Sequence, residues 1–308
     1  MPGSGARGWT GADGWVGAAL RALLFMGAVY ALEQVLRALV PPFVRSDAAA
    51  FTLLPLATLL AALLAGGFLL RTVDRRPLAA MGLALSRQVP RELGVGFLAG
   101  SAPHLLIVML LLATGALRYG GDPGTAGGWA VSLLQAAGIL VVAAAAEEAV
   151  YRGYGFQALV RGLGLWPTLV VTSAAFAWAH GRNPSVTPLA LANIFLAGIV
   201  LGLAYMRTLS LWLVTALHVG WNWSMASLFD LPVSGLTFFD TPLYEPAVGG
   251  PPWLSGSTFG PEGGLVGSAG LLLALAITLG WPGLAPSAAQ LAARPLPAEL
   301  PMETRTDE

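Results

Sequence analysis

Long apolar runs, broken by short stretches of Arg or of Gly and Pro, set the pattern of this chain from end to end. A helix rises 1.5 Å per residue, so a hydrocarbon core about 30 Å thick takes about 20 apolar residues to cross. Eight segments reach or approach that length, near 15–40, 50–70, 93–117, 129–159, 163–181, 187–206, 209–229 and 265–282. The pattern predicts an all-α fold: a polytopic integral membrane protein of about eight transmembrane helices in one transmembrane domain, 1–282. The Pro/Ala-rich stretch 283–308, with its acidic end, reads as a disordered cytoplasmic tail. The first segment carries Arg21, Glu33 and Arg37 but has no small-residue cleavage site, and it reads as a retained helix. The Arg-rich piece RTVDRRPLAAMGLALSRQVPRELG is expected to lie along the membrane surface.

Composition agrees with the pattern. Of 308 residues 56% are hydrophobic and 10% charged, against about 25% charged in soluble domains, and the mean hydropathy is +0.71. Zero formal charge offers no field for nucleic acid, and the absence of Cys excludes disulfides, thiolate metal sites and a cysteine nucleophile. All 16 basic residues are Arg, amid much Ala, Gly and Pro, a mixture that suggests a G+C-rich bacterial coding bias.

Arg placement sets the expected orientation, because cytoplasmic loops accumulate basic residues. With the N-terminus inside, Arg7, Arg71, Arg75, Arg76, Arg87, Arg91, Arg161, Arg207, Arg294 and Arg305 fall in the cytoplasm, against Arg45, Arg118 and Arg182 outside. The expectation is a multi-pass protein of the bacterial plasma membrane with both termini inside. The Arg-free loop 230–264 then lies outside, with Phe238, Phe239 and Trp253 as a possible lid.

Ionisable groups in a bilayer are costly unless paired or wetted, so those that remain are candidates for function. Glu147, Glu148 and Arg152 lie in the fourth segment, within AAAAEEAVYRGYGF. Glu148 and Arg152, four apart, share a helix face and are expected to form a structural ion pair. Glu147 points about 100° away, without that counter-ion, as suits a general base. His180 ends the fifth segment in FAWAHGRNP, and His218 and Asn222 share a face of the seventh. Together they supply a base, a polariser and oxyanion donors. His104 is expected to bond a carbonyl freed by Pro103, while Gly198, Gly202 and Asn193 read as helix packing. Counted from Arg161 and Arg207 along continuous helices, Glu147 lies about 21 Å, His180 about 27 Å and His218 about 15 Å into the membrane.

These blocks resemble the CPBP family of intramembrane endopeptidases, also called the CAAX protease and bacteriocin-processing or ABI family. Glu147-Glu148-x-x-x-Arg152 matches its EExxxR motif, Phe176-x-x-x-His180 its FxxxH motif, and His218-x-x-x-Asn222 its HxxxN motif. The resemblance spans 129–229, with weaker echoes in RRPLAAMGL and in the GPEGG loop before the last helix. It implies an eight-helix core in which Glu147 with His180 activates a water while His218 with Asn222 binds the oxyanion. Glu148, Arg152 and Phe176 are then structural support. Myxosortase-like bacterial members, thought to cut C-terminal anchors of sorted surface proteins, are a subtype it also resembles. The implied partners are the lipid bilayer and a membrane protein or peptide substrate.

Other readings stay open on the residues alone. No cofactor is expected, yet His180, His218 and Glu147 would make a His2Glu zinc set with an open position. HExxH is absent, and Asn222 suits an oxyanion better than zinc. A non-proteolytic scaffold or bacteriocin-immunity protein, and a proton relay in a transporter, are the remaining classes.

Overall fold

A computed structural model describes residues 14–44, 46–237 and 241–293 of the chain. Apolar helices occupy the predicted segments. Helix α1 (Trp15–Ala38) is followed by α2 (Asp47–Leu69), and the third pass is α3 (Val89–Ser101) running into α4 (Pro103–Ala113). Helices α5 (Ala126–Tyr151), α6 (Tyr154–Leu163), α7 (Leu165–Ala179), α8 (Pro188–Thr208) and α9 (Leu211–Trp223) carry the motifs. The short α10 (Pro252–Ser255) precedes α11 (Leu265–Gly280) and α12 (Ala288–Ala293). Side-chain N-caps start several of them: Ser46 accepts from Ala49 N, Thr125 from Gly128 N, Thr187 from Ala190 N and Ser210 from Trp212 N. Among the described residues five helical stretches are long and apolar enough to cross a membrane, with shorter apolar helices at 165–179 and 265–280.

Two features depart from the hydropathy reading. The fourth segment is not one helix: the backbone leaves the helical region at Arg152 (φ −123°) and Gly153 (ψ −137°), and α6 starts afresh. A Cβ on Gly153 would run into the carbonyl oxygen of Ala149, so the break requires glycine. The depth count for Glu147 from Arg161 therefore fails, because rise cannot be summed through the break. The expected tail also starts as packed structure. Leu284 is buried, and Ser287 and Gln290 cap one another as α12 begins, so order extends to residue 293; residues 294–308 lie outside the described residues.

The Arg-rich elements are bonded to one another. Arg21 and Arg161 both meet Asp74, at 3.0 and 3.4 Å, Arg76 reaches the Ala292 carbonyl and Arg91 those of Pro282 and Gly283. Elsewhere, strand β1 (Leu117–Gly121) from the loop before α5 pairs antiparallel with β2 (Tyr244–Val248) from the long loop after α9. Hydropathy gave no hint of this pairing, since both segments are short and rich in Gly and Pro.

Close helix approach rests on small residues. Gly198 meets Ser173, and Gly202 meets Leu169, which seats α8 on α7. A second Gly-x-x-x-Gly, Gly96 and Gly100, lies against the α9 backbone at Leu213 and Leu217, while Gly220 lies against Phe97. Helix α9 is thereby clasped by α3, and its azimuth, on which His218 and Asn222 depend, is fixed from that side.

Candidate active site

Glu147, His180, His218 and Asn222 all line one cavity of about 570 Å3, which also reaches Glu33, Arg37 and Thr58 on α1 and α2. The predicted division of the two glutamates is present. Glu148 is fully buried, whereas the Glu147 side chain is 37% exposed, as the 100° step between neighbours on a helix requires. Glu147 Oε2 is nevertheless buried and has no hydrogen-bond partner, so one carboxylate oxygen is left for a further ligand.

Glu148 does more than pair with Arg152. Its Oε1 lies 3.2 Å from Arg152 Nη1 and 2.8 Å from His218 Nδ1. Arg152 Nη2 also donates to the Gly198 carbonyl at 3.0 Å, and its guanidinium lies 5.0 Å from the centre of the Phe176 ring. Phe176 packs against Tyr151, His180 and His218, with ring centres at 5.1, 4.7 and 6.2 Å. EExxxR, FxxxH and HxxxN thus form one connected cluster in which Glu148, Arg152 and Phe176 support the rings around them.

The hydrogen bonds assign ring nitrogens. His180 Nδ1 lies 2.8 Å from the Phe176 carbonyl, an obligate acceptor, so Nδ1 carries the proton and Nε2 is the basic atom of the neutral ring. By the same argument His218 donates Nδ1–H to Glu148. Its Nε2 lies 3.8 Å from Glu147 Oε2, beyond hydrogen-bond length but within charge contact. The expectation that Glu147 works beside His180 is therefore enlarged: the charge contact that the geometry displays is with His218. Among the described residues, no three His, Cys, Asp or Glu side chains form a cluster that could hold a metal ion.

His104 bonds backbone groups of Gly100 and Ser101 in the turn before Pro103, and it has a side-chain partner besides. It is fully buried, and its Nδ1 meets Ser224 Oγ at 2.9 Å. The Ser224 hydroxyl proton goes to the Gly220 carbonyl at 2.7 Å, so Oγ accepts from His104. The His104 ring also sits edge-on to Trp221 at 4.6 Å.

Sequence reasoning missed the contribution of the 230–264 loop. Glu262 of the GPEGG segment is 5% exposed and accepts from Trp221 Nε1 at 2.9 Å, from Ser234 N at 2.8 Å and from Ser234 Oγ at 2.7 Å. Asn193, read as helix packing, instead donates to the Glu262 and Gly264 carbonyls and accepts from Ser268. The signal was available: a lone carboxylate beside an apolar helix is a candidate by the same rule that singled out Glu147. Phe238 and Phe239 of the expected lid lie outside the described residues, and Trp253 is 57% exposed.

Beyond Asn222, α9 passes into a π-helical turn, Ser224–Leu228, a conformation frequent at functional sites. Its carbonyls are satisfied by the loops: Tyr119 donates to Phe229 O, Tyr244 to Leu228 O and Thr241 to Ser227 O. Burial raises the pKa of both phenols, which keeps them protonated donors.

No curated protein matches the chain. The family comparison matches residues 129–224 with a model described as type II CAAX prenyl endopeptidase Rce1-like. That span runs from α5 into the turn after α9 and holds all three motifs; over these residues, about a third of the chain, this helical membrane protein is similar to the Rce1-like type II CAAX prenyl endopeptidases of the CPBP family.

Proposed function

We propose that the chain is an intramembrane endopeptidase that hydrolyses a peptide bond by a glutamate-activated water. The observation that carries this reading is Glu147 Oε2, buried without a hydrogen-bond partner and in charge contact with His218, on the cavity shared with both histidines and Asn222. Glu147 takes a proton from water while His180 Nε2 orients it. The hydroxide adds to the scissile carbonyl carbon, and Asn222 Nδ2–H with protonated His218 donates to the oxyanion. Collapse breaks the C–N bond, and the proton held by Glu147 passes to the leaving amine. Glu148 fixes the His218 ring through Nδ1, and Arg152 holds Glu148 in place.

The reading assigns the chemistry without a metal, because Asn222 is suited to donate to an oxyanion rather than to ligate. Substrates are membrane-anchored or exported proteins whose scissile bond lies at mid-depth or in the outer leaflet, on the Arg-derived orientation with both termini cytoplasmic and on the counts of about 15 Å for His218 and about 27 Å for His180, which the break at Gly153 leaves untouched. Supporting the relative part of that orientation, the Arg-rich segments 71–91, Arg161 and the 282–292 segment bond to one another, while the loops at 117–121 and 244–248 pair. Cleavage of a membrane-anchored reporter by wild type but not by Glu147→Gln tests the assignment, since the amide keeps the shape and loses the base.

A further inference from the structure

Glu262 lies between both histidine-bearing segments and the loop that packs on them. Its Oε1 accepts from Trp221 Nε1, and Oε2 accepts from Ser234 N and Oγ. Trp221 lies on α9 three residues after His218 and one before Asn222, only about 60° from His218 around the helix axis. Holding the indole therefore holds the azimuth of His218. On the other side the Ser234 carbonyl accepts from Asn183 Nδ2 at 3.0 Å, and Asn183 closes the turn that follows α7 by donating N–H to the His180 carbonyl at 3.0 Å. Gly235, next to Ser234, sits so close to Pro184 that a Cβ would strike the Pro184 carbonyl oxygen, which keeps the contact tight. The π-turn after Trp223 makes this stretch of α9 irregular, so its position depends on such outside partners.

Resting on the endopeptidase reading, we propose that Glu262 is a positioning residue for peptide hydrolysis: its carboxylate clamps the GPEGG segment and Ser234 to both the His218/Asn222 helix and the His180 turn. The chemistry requires a carboxylate. Three donors converge on its two oxygens, and an amide at this position would turn its NH2 toward the Trp221 N–H or the Ser234 donors. A donor facing a buried donor is repelled, and the segment it held moves away.

This logic gives a test with a sign reversal. In detergent, Glu262→Gln should lower kcat for a membrane-anchored reporter roughly 10- to 100-fold, the range expected from misplacing catalytic groups by about 1 Å, with KM little changed. Trp221→Phe removes one donor and should cost less. In the double variant Glu262→Gln/Trp221→Phe the amide no longer meets the indole N–H, and kcat should rise above that of Glu262→Gln alone. A second readout is independent of proteolysis. The chain has no cysteine, and Ala226 is buried in the π-turn and lines the cavity. An Ala226→Cys probe should react slowly with maleimide in the wild-type background, faster with Glu262→Gln and slowly again in the double variant. If that labelling pattern appears while wild type cleaves nothing, the clamp stands and the endopeptidase reading falls. If wild type cleaves and neither kcat nor labelling responds to Glu262→Gln, or if the double variant is worse than the single one in both, the clamp is wrong. Should Glu262→Gln fail to fold, Trp221→Phe decides alone, and unchanged kcat and labelling would overturn the proposal.

Discussion

Glu148 Oε1 lies 2.8 Å from His218 Nδ1, which joins a fully buried carboxylate on α5 to an imidazole 70 residues away on α9. The same oxygen meets Arg152, so the ion pair within EExxxR is also the support of HxxxN. Glu148→Gln keeps an acceptor oxygen for Arg152 and His218 but strands the Arg152 charge, so it should lose some stability, less than a truncation does, and cost roughly 10^2- to 10^4-fold in kcat per folded molecule, the scale on which the orienting carboxylate of a histidine counts in other hydrolases. Arg152→Ala should instead appear as instability of about 3–5 kcal/mol, because a buried carboxylate is stranded. Thermal unfolding in detergent beside a cleavage assay separates the two; wild-type kcat in Glu148→Gln would remove Glu148 from its orienting role.

The contact of α8 with α7 has its own consequence. A Cβ added to Gly198 would lie 2.7 Å from Ser173 Cβ, too close for either atom. Ser173 is one turn before Phe176 and two before His180, and the Gly198 carbonyl also accepts from Arg152. Gly198→Ala should therefore cost about 1–3 kcal/mol by overpacking and lower activity as well. A variant as stable and as active as wild type would show that the helices separate freely.

Much of this was legible because it is local. Phe176/His180, His218/Asn222 and Glu148/Arg152 are pairs four apart, and helical periodicity alone puts each on one face. The sequence does not say which faces meet. The Glu148–His218 bond, the charge contact of Glu147 with His218 and the hold of Glu262 on Trp221 all join helices or loops distant along the chain. The break at Gly153 was hidden for a different reason: apolar residues continue through it, and hydropathy does not register a backbone turn. Strands β1 and β2 were invisible because two five-residue segments carry too little alternation to stand out.

Activity should survive exhaustive chelation and dialysis, since Glu147, His180, His218 and Asn222 are assigned to proton transfer and oxyanion binding. Metal analysis of an active preparation checks this. Stoichiometric zinc, with activity lost on its removal and restored on its return, would transfer the mechanism to a His2Glu centre.

The orientation can be read with one probe. Ser257 is exposed in the loop after α9, whereas Ser234 is buried against Glu262 and would report the clamp instead of the side. In intact cells Ser257→Cys should react with an impermeant maleimide on this cysteine-free background. Reaction only after the membrane is disrupted would invert the topology and place the substrate's scissile bond toward the cytoplasm.

The most direct test of the central claim follows new peptide ends. Membranes of the source organism carrying wild type or Glu147→Gln, at equal levels of folded protein, are compared for protein N-termini, with H2(18)O present. The account predicts membrane-protein N-termini that appear only with wild type, each paired with an upstream fragment whose new C-terminal carboxylate carries one oxygen from water. The same set of ends, labelled equally, in Glu147→Gln membranes would contradict it.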